Sequence, residues 1–144
     1  MWDNPEPSTQ AEYVPDQTKP RARILLIEDS AGTSDLITRS LGQHGYQIDT
    51  CYDGPTGLEA ALTGDYDLLL LDIALPGMFG WEVLRQIRDA EQEDQMPVIV
   101  VTAHHDTMLS DDTRDVAKTV VRVMSKPFDL ADLARTVAKA LGHD

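Results

Sequence analysis

From Arg21 onward the chain alternates short apolar runs with longer amphipathic stretches. The runs RILLI (23–27), YQIDT (46–50), DLLLL (67–71), VIVV (98–101) and VVRVM (120–124) predict five strands. ILLI and LLLL are apolar at every position rather than at every second one, which marks parallel strands covered on both faces. Helical periodicity fills the intervals, at roughly 34–43, 55–62, 80–90, 106–118 and 130–141. It is clearest in the last, where Asp129 stands at the N-cap and Leu130, Leu133, Ala134, Val137 and Leu141 form one stripe. It is weakest over 106–118, which Asp106, Asp111, Asp112 and Asp115 crowd. Five β-then-α units with short connections predict an α/β fold, a doubly wound five-stranded parallel sheet of strand order 2-1-3-4-5. Ligands gather in such sheets at the carboxyl ends of the strands, where the winding direction switches.

The first twenty residues do not share this pattern. They hold four of the eight prolines and few apolar side chains, too few to offset the entropy of ordering. Residues 1–20 are therefore expected to be a flexible tail, and 21–144 the single domain. Twelve Lys and Arg against 25 Asp and Glu give a formal charge of −13, which repels phosphate backbones and anionic bilayers and argues against direct nucleic-acid or membrane binding. The one cysteine, Cys51, cannot form an internal disulfide, and no apolar run resembles a signal peptide or a membrane span, so a reducing cytoplasm is the expected setting. Cys51 itself is expected to pack as a small hydrophobe, and Trp81, at the start of the third helix, to pack likewise.

The strand exits carry the chemistry. The first strand runs into Glu28 and Asp29, the third into Asp72, the fourth into Thr102, and the fifth into Ser125 and Lys126. Taken singly, each is an ordinary capping or surface residue. Jointly, at the ends of four strands that the strand order brings together, they place three carboxylates, a hydroxyl and an ammonium in one crevice. Carboxylates so close require protons or a cation, and an all-oxygen site suits a hard divalent ion, Mg²⁺ foremost and Mn²⁺ second. Asp72 can then act as a nucleophile on phosphorus, with Glu28 and Asp29 holding the metal, Lys126 offsetting charge and Thr102 hydrogen-bonding the phosphoryl group.

The motifs LLIEDS, YQIDTCYDGPTGLEAAL, DYDLLLLDIALPGMFGWEVL, MPVIVVTAH and MSKPFDLADL, in this order over residues 21 to 142, resemble the receiver domain of two-component response regulators. The resemblance implies the flavodoxin-like, CheY-like form of the predicted fold. It implies that Asp72 is the phosphoacceptor and that Glu28, Asp29 and Asp72, with the backbone carbonyl of Ala74, bind Mg²⁺. Asp29 is expected to bind the ion directly and Glu28 through water. Thr102 would be the switch hydroxyl, and Lys126, joined to Pro127 by a cis bond, the lysine of the site. A sensor histidine kinase or histidine phosphotransfer protein would be the donor and a further protein the target. The chain would be no enzyme beyond promoting its own phosphoryl transfer and autodephosphorylation.

Two departures stand out. Val123 occupies the place of the aromatic that usually completes the switch, and VAKTVV replaces the usual Gly-Ala before the fifth strand. Thr102 also precedes Lys126 by 24 residues, slightly more than expected. These changes lie on the face of the fourth helix, fifth strand and fifth helix, where the family commonly dimerises or signals, so a homodimer and a non-switching pseudo-receiver acting as an adaptor both stay open. A flavin carrier is disfavoured because the first turn begins with two acids, and an aspartyl-nucleophile phosphatase because Ala74 stands where a second acid is wanted. The sequence after the last helical stripe holds no helix-turn-helix, which suits either a single-domain regulator or a piece of a longer chain. His104, two residues after Thr102, and Ala74 opposite would flank the route of an attacking water. If His104 acts there, His104→Ala changes the lifetime of the aspartyl phosphate, and does so differently at about pH 6 and pH 8, which an acid-quench time course measures.

Overall fold

The computed structural model describes residues 19–103 and 111–143. Strands and helices alternate through them: β1 (Arg23–Ile27), α1 (Ala31–Gly42), β2 (Gln47–Cys51), α2 (Gly54–Thr63), β3 (Leu68–Leu71), α3 (Gly80–Ala90), β4 (Val98–Thr102), α4 (Asp111–Ala117), β5 (Arg122–Ser125) and α5 (Leu130–Leu141). Every strand pairing is parallel and the order is β2-β1-β3-β4-β5, as the pattern predicted.

The continuous apolar runs are explained by burial on two sides. Ile24, Leu26, Leu68, Leu70, Ile99 and Val101 point to one core, completed by Ile37 and Leu41 of α1 and Leu133 and Val137 of α5. Their neighbours Leu25, Ile27, Leu69, Leu71, Val98 and Val100 point to the other, with Leu58 of α2 and Trp81, Leu84 and Ile87 of α3. Alternation of side chains along a strand thus feeds two cores at once, and each fully buried Leu or Ile contributes about 1.5–3 kcal/mol. Trp81 packs as expected. Its Nε1 is buried without a hydrogen-bond partner among the described residues.

Several boundaries differ from the sequence reading, and for three of them the structure shows the cause. Helix α1 begins three residues earlier, because the Ser30 side chain accepts from the Thr33 N–H and caps the first turn. Helix α2 likewise starts at a cap, Asp53 accepting from the Thr56 N–H at 2.7 Å, with Pro55 in its first turn. Strand β5 begins at Arg122 rather than Val120, because the preceding turn is held by Arg88. The Arg88 side chain, almost wholly buried, donates to the Thr119 hydroxyl at 2.9 Å and carbonyl at 3.3 Å and to the Met96 carbonyl at 2.8 Å, and pairs with Glu91 at 3.0 Å. This clasp ties the end of α3 to the turn after α4, so Val120 and Val121 complete the turn. Residues 106–110 of the helix expected at 106–118 lie outside the described residues, as do residues 1–18 of the expected tail.

Two glycines shape the exit of β3. Gly77 turns the chain with φ +83°, a conformation that L side chains rarely adopt. Gly80 lets α3 start directly against the sheet: a Cβ there would run into the Asp72 carbonyl and the Ile73 Cα. Gly80→Ala is expected to push α3 away from β3 and to destabilise the fold by about 1–3 kcal/mol, read as a lower urea midpoint.

Candidate functional site

Backbone bonds carry the strand ladders one residue beyond the strands and so set the pocket floor. The Glu28 N–H donates to the Cys51 carbonyl, that of Asp72 to Ile27 and that of Lys126 to Thr102, each at 3.0 Å. Parallel strands all present their carboxyl ends on one side, so Glu28, Asp72 and Lys126 meet there although up to 98 residues separate them.

The ammonium of Lys126 joins the two acids. Its Nζ lies 2.8 Å from Glu28 Oε1 and 3.1 Å from Asp72 Oδ2. Glu28 is 1% exposed and Asp72 5%. The remaining carboxylate oxygens are also engaged: Glu28 Oε2 accepts from the Ser30 N–H at 3.0 Å and Asp72 Oδ1 from the Ala74 N–H at 3.2 Å. Burial pushes the Glu28 carboxyl above its ordinary range and the charge of Asp72 adds to this; the bonds from Lys126 and Ser30 oppose the shift without cancelling it. Burial pulls the other way on Lys126, but the bond to Glu28 and the charges of Asp72 and Glu28 outweigh it and hold the ammonium above its usual value.

Asp29, exposed at the mouth, completes an acidic trio in which one oxygen from each of Glu28, Asp29 and Asp72 lies within 4.8 Å of the others. Octahedral Mg²⁺ with ligands at about 2.0–2.1 Å spans about 4.2 Å, so the trio is close to the right size and chemically right, all hard oxygen. Glu28 and Asp72 each have both oxygens engaged, by Lys126 and by a backbone N–H, whereas Asp29 stands exposed.

The other expected residues fall as follows. Thr102 is the last residue of β4 rather than the first beyond it; it is fully buried and aligned with Ser125 across β4 and β5. Ala74 reaches the site through its N–H. Val123 pairs in register with Val100 and packs, partly buried, on the core under α2, α3 and α4. The bond between Lys126 and Pro127 is cis, as expected. His104 lies outside the described residues. Cys51 is half-buried, and burial, with the charges of Asp53 and Asp49, pushes its thiol up. Ser30 was not singled out in the sequence, although a serine after two acids and three residues before a threonine is a readable capping signal. Among the described residues no helix is long and apolar enough to cross a membrane.

Strand order and pocket together define an α/β domain of the CheY-like, flavodoxin-like class with an acidic, lysine-bridged centre. Within that class the chain belongs to the response regulator receiver domain family, whose model matches residues 24–138. It is 41% identical over 122 residues to the transcriptional regulatory protein HprR of Escherichia coli, covering 84% of this chain and 52% of that protein. It is 37% identical over 119 residues to the response regulator ArlR of Staphylococcus saprophyticus, covering 83% and 52%. The chain thus spans about half the length of these curated relatives. Among solved structures it is similar to the response regulator TrrA of Thermotoga maritima, determined in complex with Mg²⁺ and BeF (31% identity, TM-score 0.70, 83% of this chain and 98% of that one). It is also similar to the receiver domain of the sensor histidine kinase PA1611 of Pseudomonas aeruginosa, determined with magnesium in its active-site cleft (30% identity, TM-score 0.71, 84% and 98%).

Removing the bridging ammonium exposes the repulsion it relieves. Lys126→Met is expected to lower stability near pH 7.5 by about 1–3 kcal/mol, less than for a fully buried pair because the lysine is partly solvated. Glu28, pushed up by burial and by the charge of Asp72 and no longer opposed by the bond from Lys126, then binds a proton more tightly folded than unfolded. The deficit against wild type therefore shrinks toward about pH 5, as urea midpoints at the two pH values would record.

Proposed function

We propose that this receiver domain accepts a phosphoryl group on Asp72 and uses it to alter its contacts with other proteins. The observation that supports this reading most directly is the Lys126 ammonium in contact with both Glu28 and Asp72, with Asp29 beside them. It holds both carboxylate oxygens of Asp72, Oδ2 on Lys126 and Oδ1 on the Ala74 N–H, in an acidic pocket that one ammonium partly neutralises.

In the reaction a carboxylate oxygen of Asp72 forms a bond to phosphorus as the P–N bond of a phosphohistidine breaks, the electron pair staying on the imidazole nitrogen. Lys126 offsets the charge on the phosphoryl oxygens, and Thr102, at the end of the neighbouring strand, offers its hydroxyl to one of them. The Ser30 and Ala74 N–H groups fix the acids against rotation. Glu28, Asp29, Asp72 and the Ala74 carbonyl would hold Mg²⁺ or Mn²⁺, which supplies further charge neutralisation when bound. The donor is a sensor histidine kinase or phosphotransfer protein in the cytoplasm, and the target a protein. A second reading, a constitutive adaptor of receiver fold, draws support from Val123, an aliphatic side chain packed in the core where the family's switch aromatic would stand.

Acetyl phosphate with Mg²⁺ is expected to label the wild type with one phosphoryl group, seen by intact mass, and Asp72→Asn to abolish labelling. Glu28→Gln should weaken Mg²⁺ binding about 10–100-fold. Labelling that survives Asp72→Asn would displace Asp72 from this role, and an unlabelled wild type would favour the adaptor.

A further inference from the structure

Phe79 breaks a local rule beside the pocket. It is the N-cap residue of α3, with extended backbone, and gives the helix no side-chain hydrogen bond. Helices α1, α2 and α5 use Ser30, Asp53 and Asp129 at the same position, residues whose side chains accept from the free N–H groups of the first turn. Burial does not compensate, because Phe79 is 52% exposed. Nor does Glu82 turn back to cap the helix; it pairs with Arg85 at 3.1 Å. A residue that satisfies neither the helix nor the core marks a place where something outside the domain is served.

Its location follows from backbone contacts. The next residue, Gly80, packs on the Asp72 carbonyl, and its N–H donates to the Ile73 carbonyl at 2.8 Å. Met78 lies against Gly54, whose N–H donates to the Pro76 carbonyl at 3.1 Å. The loops before α2 and α3 thus form one wall at the carboxyl end of the sheet. That wall carries Phe79 and the half-exposed Tyr52, and a hollow of about 580 Å³ lies between Leu75, Met78, Phe79 and Glu82.

Asp72 is nearly closed off from solvent, so a phosphohistidine carried by a protein reaches it only when that protein's surface covers the pocket rim, this wall included. A small donor requires no such contact. We propose that Phe79 docks the protein phosphodonor, its ring seated in an apolar hollow of a histidine-phosphorylated protein, and so helps decide which donors phosphorylate Asp72. The proposal rests on Asp72 being the phosphoacceptor. Aromatic anchors of this kind dominate protein interfaces. Glu82 beside the ring, on a chain of formal charge −13, calls for basic groups around the donor's hollow.

The test compares wild type, Phe79→Ser and Phe79→Leu with two probes: acetyl phosphate, and a panel of purified histidine-kinase cytoplasmic domains autophosphorylated with radiolabelled ATP. Phe79→Ser supplies a cap and should raise the urea midpoint. It should leave acetyl phosphate labelling within about twofold, yet lower kcat/KM from the fastest kinase domain about tenfold or more, while Phe79→Leu keeps most of that rate. Equal transfer to wild type and Phe79→Ser from every kinase domain overturns the proposal. So does a parallel fall with acetyl phosphate, or a wild type labelled by acetyl phosphate but by no kinase domain. A wild-type dimer that Phe79→Ser dissociates without slowing transfer assigns the ring to a second copy instead, and also overturns it. A wild type that acetyl phosphate does not label removes the phosphoacceptor reading itself, a failure separable from the others.

Discussion

The pocket depends on one ammonium set between two buried carboxylates. Glu28 and Asp72 stand at the ends of neighbouring strands with almost no solvent to screen them, and without Lys126 their mutual repulsion would oppose the closing of the sheet at that end. The contact balances charge only in part. The acidic trio still outnumbers the single cation, an arrangement compatible with a divalent ion.

The architecture delivers that contact through rigid means. The ladder bonds of Glu28, Asp72 and Lys126 extend the sheet by one residue into the loops, so these side chains are carried on hydrogen-bonded backbone. Gly80 allows α3 to begin hard against Asp72, and Arg88 fastens the far end of the same helix to the turn that leads into β5. Helix α3 is thus fixed both at the phosphoacceptor candidate and at the approach to Val123. In this chain the face that departs most from the family pattern is joined to the site by a helix and a buried arginine, as well as by the sheet.

Much of this was legible beforehand because it rests on short-range patterns. Unbroken apolar runs in Leu68–Leu71 and Ile24–Ile27, too short for helices, read as strands covered on both sides, and the acids at their exits follow in the chain itself. One error arose where a distant group decides. Val120 and Val121 have the composition of a strand, yet Arg88, more than thirty residues earlier, holds the adjoining turn. The start of α1 was misplaced because the apolar stripe begins later than the cap that starts the helix. Phe79 drew no notice, since an aromatic before a glycine reads as packing until its exposure and its missing cap are seen together.

The layers, the strand order and the chemical groups at the strand exits could be read from local pattern, because apolar periodicity and the handedness of parallel crossovers leave few other arrangements. That Lys126 touches Glu28 and Asp72 at once, that the Glu28 carboxyl is pushed up, and that an exposed ring stands beside the pocket emerge from the folded chain alone. Those outcomes depend on distances between residues far apart in the chain and on how much water the fold removes from between them, and neither quantity is written in local pattern.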